Sequence, residues 1–216
     1  VATSELSTGS FECHKITACR LCDAIERLNL SEIIVSEDDD ALHVAIQFSG
    51  ASITKRPAWM FSEDEGHRLL CKQFAVSTVE GFGLSQDDPI VGVAGALLGY
   101  INETQANDDT IIHLSPPTLR RDDAYVALDA TTIRSLEIEQ TIRSNTIEGS
   151  LLGVMQRCHT AMGKRLLRTW LCEPLANKDV IEARQDIVTA FIDNGETLRI
   201  TKELLGKVQD IARIAG

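Results

Sequence analysis

The residues best spaced for chemistry are Cys19 and Cys22, which form a C-x-x-C pair downstream of Cys13 and His14. This cysteine spacing occurs in zinc sites. Both cysteines also fall in a helical apolar pattern, where cysteine behaves as a small buried apolar side chain, and the sequence has no second C-x-x-C. We therefore predict a structural role for the pair.

The sequence has 6 cysteines in all. A chain of 216 residues can form a hydrophobic core without disulfide bonds. Because no export signal is present, we expect reduced cytosolic thiols rather than a disulfide framework.

Other catalytic signatures are missing from the sequence, which lacks G-x-S-x-G, H-E-x-x-H and G-x-G-x-x-G. The histidines are scattered without ligand spacing. The Gly-Lys dipeptides at Gly163 and Gly206 lack the upstream glycine and the following Ser or Thr of a Walker A loop. We expect no ATP hydrolysis by this segment, and we assign no catalytic, cofactor-binding or metal-binding residue.

Charge divides the chain into two halves. Residues 1–115 carry 7 Lys and Arg against 18 Asp and Glu, whereas residues 116–216 carry 14 of each class. Phosphate backbones would repel the acidic first half, so we expect it to meet protein rather than DNA. The second half has a basic cluster, Lys164, Arg165 and Arg168, which could approach an anion or form a solvated helix face.

The composition is that of a globular protein, with 44% apolar and 25% charged residues. The best apolar run, 90–101, is interrupted by glycines and is shorter than the roughly 20 residues of a membrane span. The chain starts on Val1 without methionine, and no basic segment followed by an apolar stretch marks a secretory signal. We therefore expect a cytoplasmic fragment of a longer protein, with no membrane association.

The first half alternates strand and helix patterns. Residues 1–17 predict a hairpin that turns at Gly9, and residues 18–28 predict an amphipathic helix. Short strands are expected at 32–35, 44–48 and 52–55. Helices are expected at 63–75, after the capping box Ser62-Glu-Asp-Glu65, and at 89–104. The last of these helices has glycines at positions 92, 95 and 99 on one face, which indicates close packing against a neighbouring element.

Pro116-Pro117 marks the domain boundary, because the charge balance changes there. We predict domains at 1–116 and 117–216. Residues 125–128 and 133–138 suggest extended pieces, and everything beyond Gly149-Ser150 suggests helices, the last of them from Glu196 to Ile214.

An acidic turn keeps one enzyme hypothesis open. Glu5-Leu-Ser-Thr-Gly9 resembles the acidic residue and small hydroxyl turn that open RNase H-like and actin-like folds. In nucleases of that fold, clustered carboxylates hold two divalent metal ions that activate water. The later carboxylates of this chain lie mostly in predicted loops or helix caps, so a metal-dependent RNase H-like nuclease stands as the alternative.

The sequence resembles the MutS family of DNA mismatch repair proteins over essentially its whole length. Thr160 to Leu175, TAMGKRLLRTWLCEPL, is similar to the start of the family's helical core, or lever, domain. Glu5 to Phe11 is similar to the Asp-x-Ser-Thr-Gly-x-Phe of the family's connector domain, with Glu5 in place of Asp. Further similar stretches are Arg56-Pro-Ala-Trp59-Met-Phe61, Gly81-Phe-Gly83, Gly95-Ala-Leu-Leu98, Gly149-Ser-Leu-Leu-Gly153 and Ile181-Glu-Ala-Arg184.

The resemblance implies an α/β RNase H-like connector without nuclease activity, followed by part of an all-helical core domain. It implies a relay between mismatch-reading and ATPase domains and a docking surface for a MutL-like protein. Mismatched DNA, ATP and magnesium would be bound by the full-length protein, which is expected to be a homodimer, and not by this segment.

The resemblance also implies a set of structural signature residues: Thr160, Met162, Gly163, Arg165, Leu167, Trp170, Pro174 and Arg184. Gly163 is expected to permit a close approach, Trp170 with Leu166 and Leu167 to fill a core, and Pro174 to end the helix. Lys164 and Arg168 are the residues expected to lie near DNA.

Overall fold

The computed structural model describes residues 1–28, 30–40, 42, 46–47, 49–105, 114–120 and 124–214. The chain divides between residues 121 and 122 into two compact units, here the first and the second unit. The boundary predicted at 116/117 from the prolines and the charge balance stays a prediction.

Two small sheets form the β structure of the first unit. The strands are β1, Ala2–Glu5; β2, Ser10–His14; β3, Glu32–Ser36; β4, Ser52–Arg56; and β5, Thr118–Arg120. β1 and β2 make the predicted antiparallel hairpin, with Ala2 opposite Cys13, and Gly9 adopts a φ of +68° in the turn between them. β5 runs parallel to β2, and β3 runs parallel to β4.

Helices α1 (Leu21–Leu28), α2 (Glu63–Phe74) and α3 (Pro89–Gln105) belong to the first unit. They lie where the sequence predicts them. Of the strand expected at 44–48, only Ile46 and Gln47 are among the described residues, and neither belongs to a strand. The Ser62 hydroxyl accepts a hydrogen bond from the Glu65 amide and so caps α2, whose first turn carries three acidic residues. Short 3-10 turns cover Ala18–Arg20, Ala58–Phe61 and Glu80–Phe82.

Two apolar clusters hold the first unit together. The larger one joins the hairpin to α2 and α3, and its fully buried members include Phe11, Leu70 and Leu98. The smaller one packs Ile25 of α1 against Val35 of β3 and Ile46. Burial of these side chains is the main favourable contribution to folding.

Glycines allow α2 and α3 to meet backbone to backbone. A Cβ atom at Gly66 of α2 would lie 2.2 Å from the Val91 carbonyl oxygen of α3, and one at Gly95 would lie 2.2 Å from the Gly66 Cα. A Cβ atom at Gly92 would lie 2.1 Å from the carbonyl oxygen of Phe61. The glycine face predicted from the sequence therefore packs closely, against α2 and the turn before it.

Helices make up most of the second unit. They are α4, Ala130–Ser135; α5, Leu151–Met155; α6, Ala161–Cys172; α7, Lys178–Asp193; α8, Gly195–Leu205; and α9, Ile211–Ile214. Ile133, Ile138 and Cys172 form a small core with Leu128 and Leu171. Among the described residues, no helix has both the length and the apolar character needed to cross a membrane.

The structure corrects two expectations in the second unit. Residues 133–138 are not an extended piece, because Asp129 caps α4 by accepting a hydrogen bond from the Thr132 amide. The last helix does not run unbroken from Glu196 to Ile214, because it ends at Leu205 before Gly206 and a new helix begins at Ile211. A side-chain cap therefore overrides the apolar pattern in the first place, and the helix end at Leu205 before Gly206 does so in the second.

Replacing Gly95 with alanine tests the backbone contact between α2 and α3. The added methyl group would meet the Gly66 Cα, which cannot move aside as a flexible side chain would, so we expect a loss of about 3 kcal/mol in the free energy of unfolding. Urea unfolding followed by circular dichroism measures this loss.

The matched control is Gly99→Ala in the same helix, where the nearest atom to a new Cβ is the flexible Leu69 side chain at 3.4 Å. We expect that substitution to be neutral, or stabilising by up to about 1 kcal/mol through helix propensity. Equal effects at the two glycines would contradict the close crossing.

Candidate docking site

A cavity of about 260 Å³ opens on the first unit between α2, α3 and the 3-10 turn Ala58–Phe61. Leu69 and Met60 supply apolar walls, and the absent side chain of Gly99 leaves room between the helices. The lining residues are Trp59, Met60, Glu65, Leu69, Lys72, Gln73, Gly99, Asn102 and Glu103. We call this cavity the Trp59 pocket.

The 3-10 turn points neighbouring side chains in opposite directions. Met60 is buried, whereas Trp59 is 63% exposed at the mouth of the pocket. A large aromatic side chain exposed to this extent is the kind of residue that contributes most to protein interfaces. In the sequence, Trp59 stands out only as part of a motif shared with the similar family. A residue in a short turn belongs to no periodic apolar pattern that could predict its exposure.

One polar atom in the pocket lacks a hydrogen-bond partner. The side-chain oxygen of Asn102 is buried, and no described residue donates to it. A buried acceptor is costly to leave unsatisfied, so Asn102 is an unfavourable position in the wall of the pocket. The pocket thus combines apolar walls with polar side chains such as Asn102 and Gln73.

Ion pairs fix the rim of the pocket. Glu65 accepts two hydrogen bonds from the Arg68 guanidinium, at 2.5 and 2.8 Å, and this contact lowers the pKa of the Glu65 carboxyl. Glu103 pairs with Arg56 of β4. Arg56 also lies over the Tyr100 ring, 4.9 Å from its centroid, so β4 is tied to α3.

A hydrogen-bond network extends this tie to β3. Glu32 accepts hydrogen bonds from the Tyr100 hydroxyl at 2.5 Å and from the Thr54 hydroxyl at 2.7 Å. The Tyr100 contact lowers the pKa of Glu32, and the same contact raises the pKa of Tyr100. The parallel pair β3/β4 and the end of α3 are therefore positioned together.

The signature residues of the second unit begin at a helix cap. The Thr160 hydroxyl accepts a hydrogen bond from the Gly163 amide at 2.9 Å and so starts α6. A Cβ atom at Gly163 would lie 2.9 Å from that hydroxyl, so the close approach involves the capping side chain itself. The helix ends at Cys172, before Pro174, as predicted.

The basic cluster on α6 is largely engaged within the unit. The Arg165 guanidinium donates two hydrogen bonds of 2.7 Å to the Asp210 carboxylate, and Arg168 pairs with Glu139. Lys164 is exposed on the same helix. The role of Lys164 and Arg168 near DNA stays a prediction.

Trp170 and Leu166 do not fill a core in this structure, contrary to expectation. Trp170 is 42% exposed and Leu166 is 51% exposed, whereas Leu167 and Met162 are half-buried. The Arg184 guanidinium lies over the Trp170 ring, 3.7 Å from its centroid, and so joins α7 to α6. The apolar pattern predicted which face of α6 is apolar, but not what covers it.

The nuclease alternative gains no support. The Glu5 carboxylate accepts hydrogen bonds from Ser7 at 2.8 Å and Thr8 at 3.2 Å within its own turn. Across the described ranges, no three His, Cys, Asp or Glu side chains are grouped so that they could hold a metal ion.

The expectation that Cys19 and Cys22 are buried apolar residues is wrong. Both are exposed, because α1 turns Ala24 and Ile25 toward the interior instead. None of the six cysteines, all of which the structure describes, takes part in a disulfide bond.

Comparison with known proteins gives matches to both halves of the chain. Residues 1–115 match the family model of MutS domain II, and residues 131–216 match the model of MutS domain III. Over 215 residues the chain is 36% identical to the DNA mismatch repair protein MutS of Rhodopirellula baltica, an alignment that covers 99% of this chain and 24% of that protein. The chain therefore spans about a quarter of the length of that curated relative.

Replacing Arg165 with methionine tests the link between α6 and the start of α9. The Arg165 contact lowers the pKa of the Asp210 carboxyl, so the link is present above the ordinary carboxyl pKa of about 3.9. It is lost as the pH falls through the lowered value, because protonation removes the charge. At pH 7 we expect the amides of residues 211–214 to exchange hydrogen severalfold faster in Arg165→Met than in the parent chain.

The control is Arg199→Met, which removes an exposed pair with Glu196 inside α8 and should leave the exchange of residues 211–214 unchanged. The difference between Arg165→Met and the parent chain should vanish at a pH below the lowered Asp210 pKa. A difference that persists there would show that the charge pair is not the cause.

Proposed function

Because the chain belongs to the MutS family, we propose that it is the part of a DNA mismatch repair protein that docks a protein partner and relays conformational signals. The observation that carries the docking proposal is the exposed Trp59 at the mouth of an apolar pocket. Family membership supports the repair context.

We propose that the occupant of the Trp59 pocket is an apolar side chain presented by a MutL-like protein. The charge of the first half supports a protein partner with a basic surface, since residues 1–115 carry 18 acidic against 7 basic residues. Glu65, Lys72 and Glu103 line the pocket, so polar groups of the partner would contact these residues while its apolar side chain filled the centre.

The relay proposal depends on the stiffness of the first unit. The glycine contacts join α2 to α3, the Glu32–Tyr100 hydrogen bond joins α3 to β3, and the larger apolar cluster joins both helices to the hairpin. A stiff body transmits a displacement from one end to the other with little internal adjustment. A partner bound at the Trp59 pocket would therefore act on the whole first unit.

We propose that this segment consists of a connector domain and part of a core domain, and that it lacks the catalytic and ligand-binding activities of the full-length protein. The first unit is an RNase H-like connector without nuclease activity, a fold supported by the hairpin and its parallel extension through β5. The segment has no catalytic role and no cofactor of its own. ATP, magnesium, mismatched DNA and the contact of a homodimer belong to the full-length protein.

Trp59→Ala in the full-length protein tests the docking proposal. We expect mismatch binding and ATP hydrolysis to persist, while the affinity for the MutL-like protein on mismatched DNA falls about 30-fold, the effect of losing about 2 kcal/mol at a central aromatic residue. Surface plasmon resonance with immobilised heteroduplex DNA, ATP and the two proteins measures this affinity.

Leu6→Ala is the matched control, because Leu6 is an exposed apolar residue of the first unit in the hairpin turn, outside the pocket. It should leave the affinity for the MutL-like protein unchanged. Undiminished recruitment in Trp59→Ala would refute the pocket, and equal losses in both variants would point to a general effect on the unit.

A further inference from the structure

We propose that Cys19 and Cys22 form a redox-active dithiol, which a low-molecular-weight disulfide such as glutathione disulfide oxidises reversibly to an intrachain disulfide bond. This modification site is independent of the docking proposal. It begins from the finding that both thiols are exposed, which the helical apolar pattern did not predict.

The two cysteines lie three residues apart, on either side of the junction between a 3-10 turn and α1. Residues 18–20 form a 3-10 turn, and the Leu21 amide continues it by donating to the Ala18 carbonyl oxygen before α1 begins. Side chains three residues apart eclipse one another in a 3-10 helix. A disulfide bond needs the two Cβ atoms at roughly 3.5–4.5 Å, slightly closer than the 5–6 Å of an α-helical pair.

The required tightening falls at the start of a helix, where it is least costly. The first amides of α1 have no partner within α1, and the Leu21 amide bonds to the preceding turn instead, so the hydrogen bonds inside α1 are kept when that turn tightens. The fully buried side chains of α1, Ala24 and Ile25, lie beyond the cysteine pair, whereas Leu21, between the two cysteines, packs against the cluster around Ile25 and Val35. Oxidation would therefore restrain the entrance to α1 next to that cluster.

A neighbouring hydroxyl supports reaction at Cys19. The Thr17 hydroxyl lies 3.3 Å from the Cys19 sulfur, close enough to donate a hydrogen bond to a thiolate. The thiolate is the form that attacks a disulfide. Residues 17–22 thus provide a nucleophile, a neighbouring hydroxyl and a second thiol three residues away.

The other four cysteines lack this arrangement. Cys13 and Cys172 are buried, and burial raises the pKa of their thiols to about 11 and about 12, so they stay protonated at neutral pH. Cys71 and Cys158 are half-buried, and neither has another cysteine within a turn of helix. Solvent exposure and sequence spacing therefore make Cys19 and Cys22 the pair best suited to form an intrachain disulfide bond.

The reaction balances as an exchange of one disulfide for another. The Cys19 thiolate attacks one sulfur of glutathione disulfide, which forms a mixed disulfide and releases one glutathione thiolate. The Cys22 thiolate then attacks the Cys19 sulfur and displaces the second glutathione. The protein loses two protons and two electrons, and one glutathione disulfide becomes two glutathione molecules.

Peptide mapping of the oxidised chain tests the proposal. The reduced chain is equilibrated with glutathione and glutathione disulfide, free thiols are blocked with iodoacetamide, and the products are digested with trypsin without reduction. Because trypsin cuts after Arg20, a disulfide between Cys19 and Cys22 joins peptides 16–20 and 21–27. We expect this linked pair to form and to disappear on addition of dithiothreitol.

Three variants make the result specific. Cys19→Ser and Cys22→Ser should each abolish the linked peptides, while Cys158→Ser should leave their yield unchanged. Thr17→Val should slow the oxidation by roughly threefold, because the thiolate loses a hydrogen-bond donor. Failure of the linked peptides to form, or oxidation that joins two chains through these cysteines, would overturn the proposal.

Discussion

The contact between the backbones of α2 and α3 is the constraint on which the first unit depends. Gly66 and Gly95 remove the side chains that would hold the helices apart, and Gly92 lets the carbonyl of Phe61 rest on α3. That last contact anchors the turn that carries Trp59. The Trp59 pocket therefore depends on three glycines, whose low helix propensity is offset by the close packing that they allow.

The second unit is organised by caps and ion pairs more than by a core. Its buried apolar cluster is small, and α7 buries no residue completely. Side-chain caps start its helices at Thr160 and Asn177, and the Arg165–Asp210 pair joins α6 to the beginning of α9. Helices with this much exposed apolar surface are typical of a surface that meets further protein.

Sequence patterns predicted the candidate sites unevenly. The glycine face of α3 and the cap at Ser62 were predictable, because each depends on residues a few positions apart in one helix. The Trp59 pocket was not, since its walls come from a turn and two helices whose approach is a property of the folded unit. The exposure of Cys19, Cys22 and Trp170 was also not predicted. An apolar pattern shows which face of a helix is apolar, but it does not show whether another element packs against that face.

Local interactions along the chain determined the positions of the helices and strands in the first half, the acidic character of that half, and the motifs by which the MutS family is identified. These features depend on residues that are close together in the sequence, so they can be predicted without knowing which residues from other parts of the chain pack against them. Only the tertiary structure decided the pocket beside Trp59, the pairing of Arg165 with Asp210, and which thiols reach solvent. The physical reason is that burial and ion pairing depend on groups far apart in the chain, whose distances are set by packing.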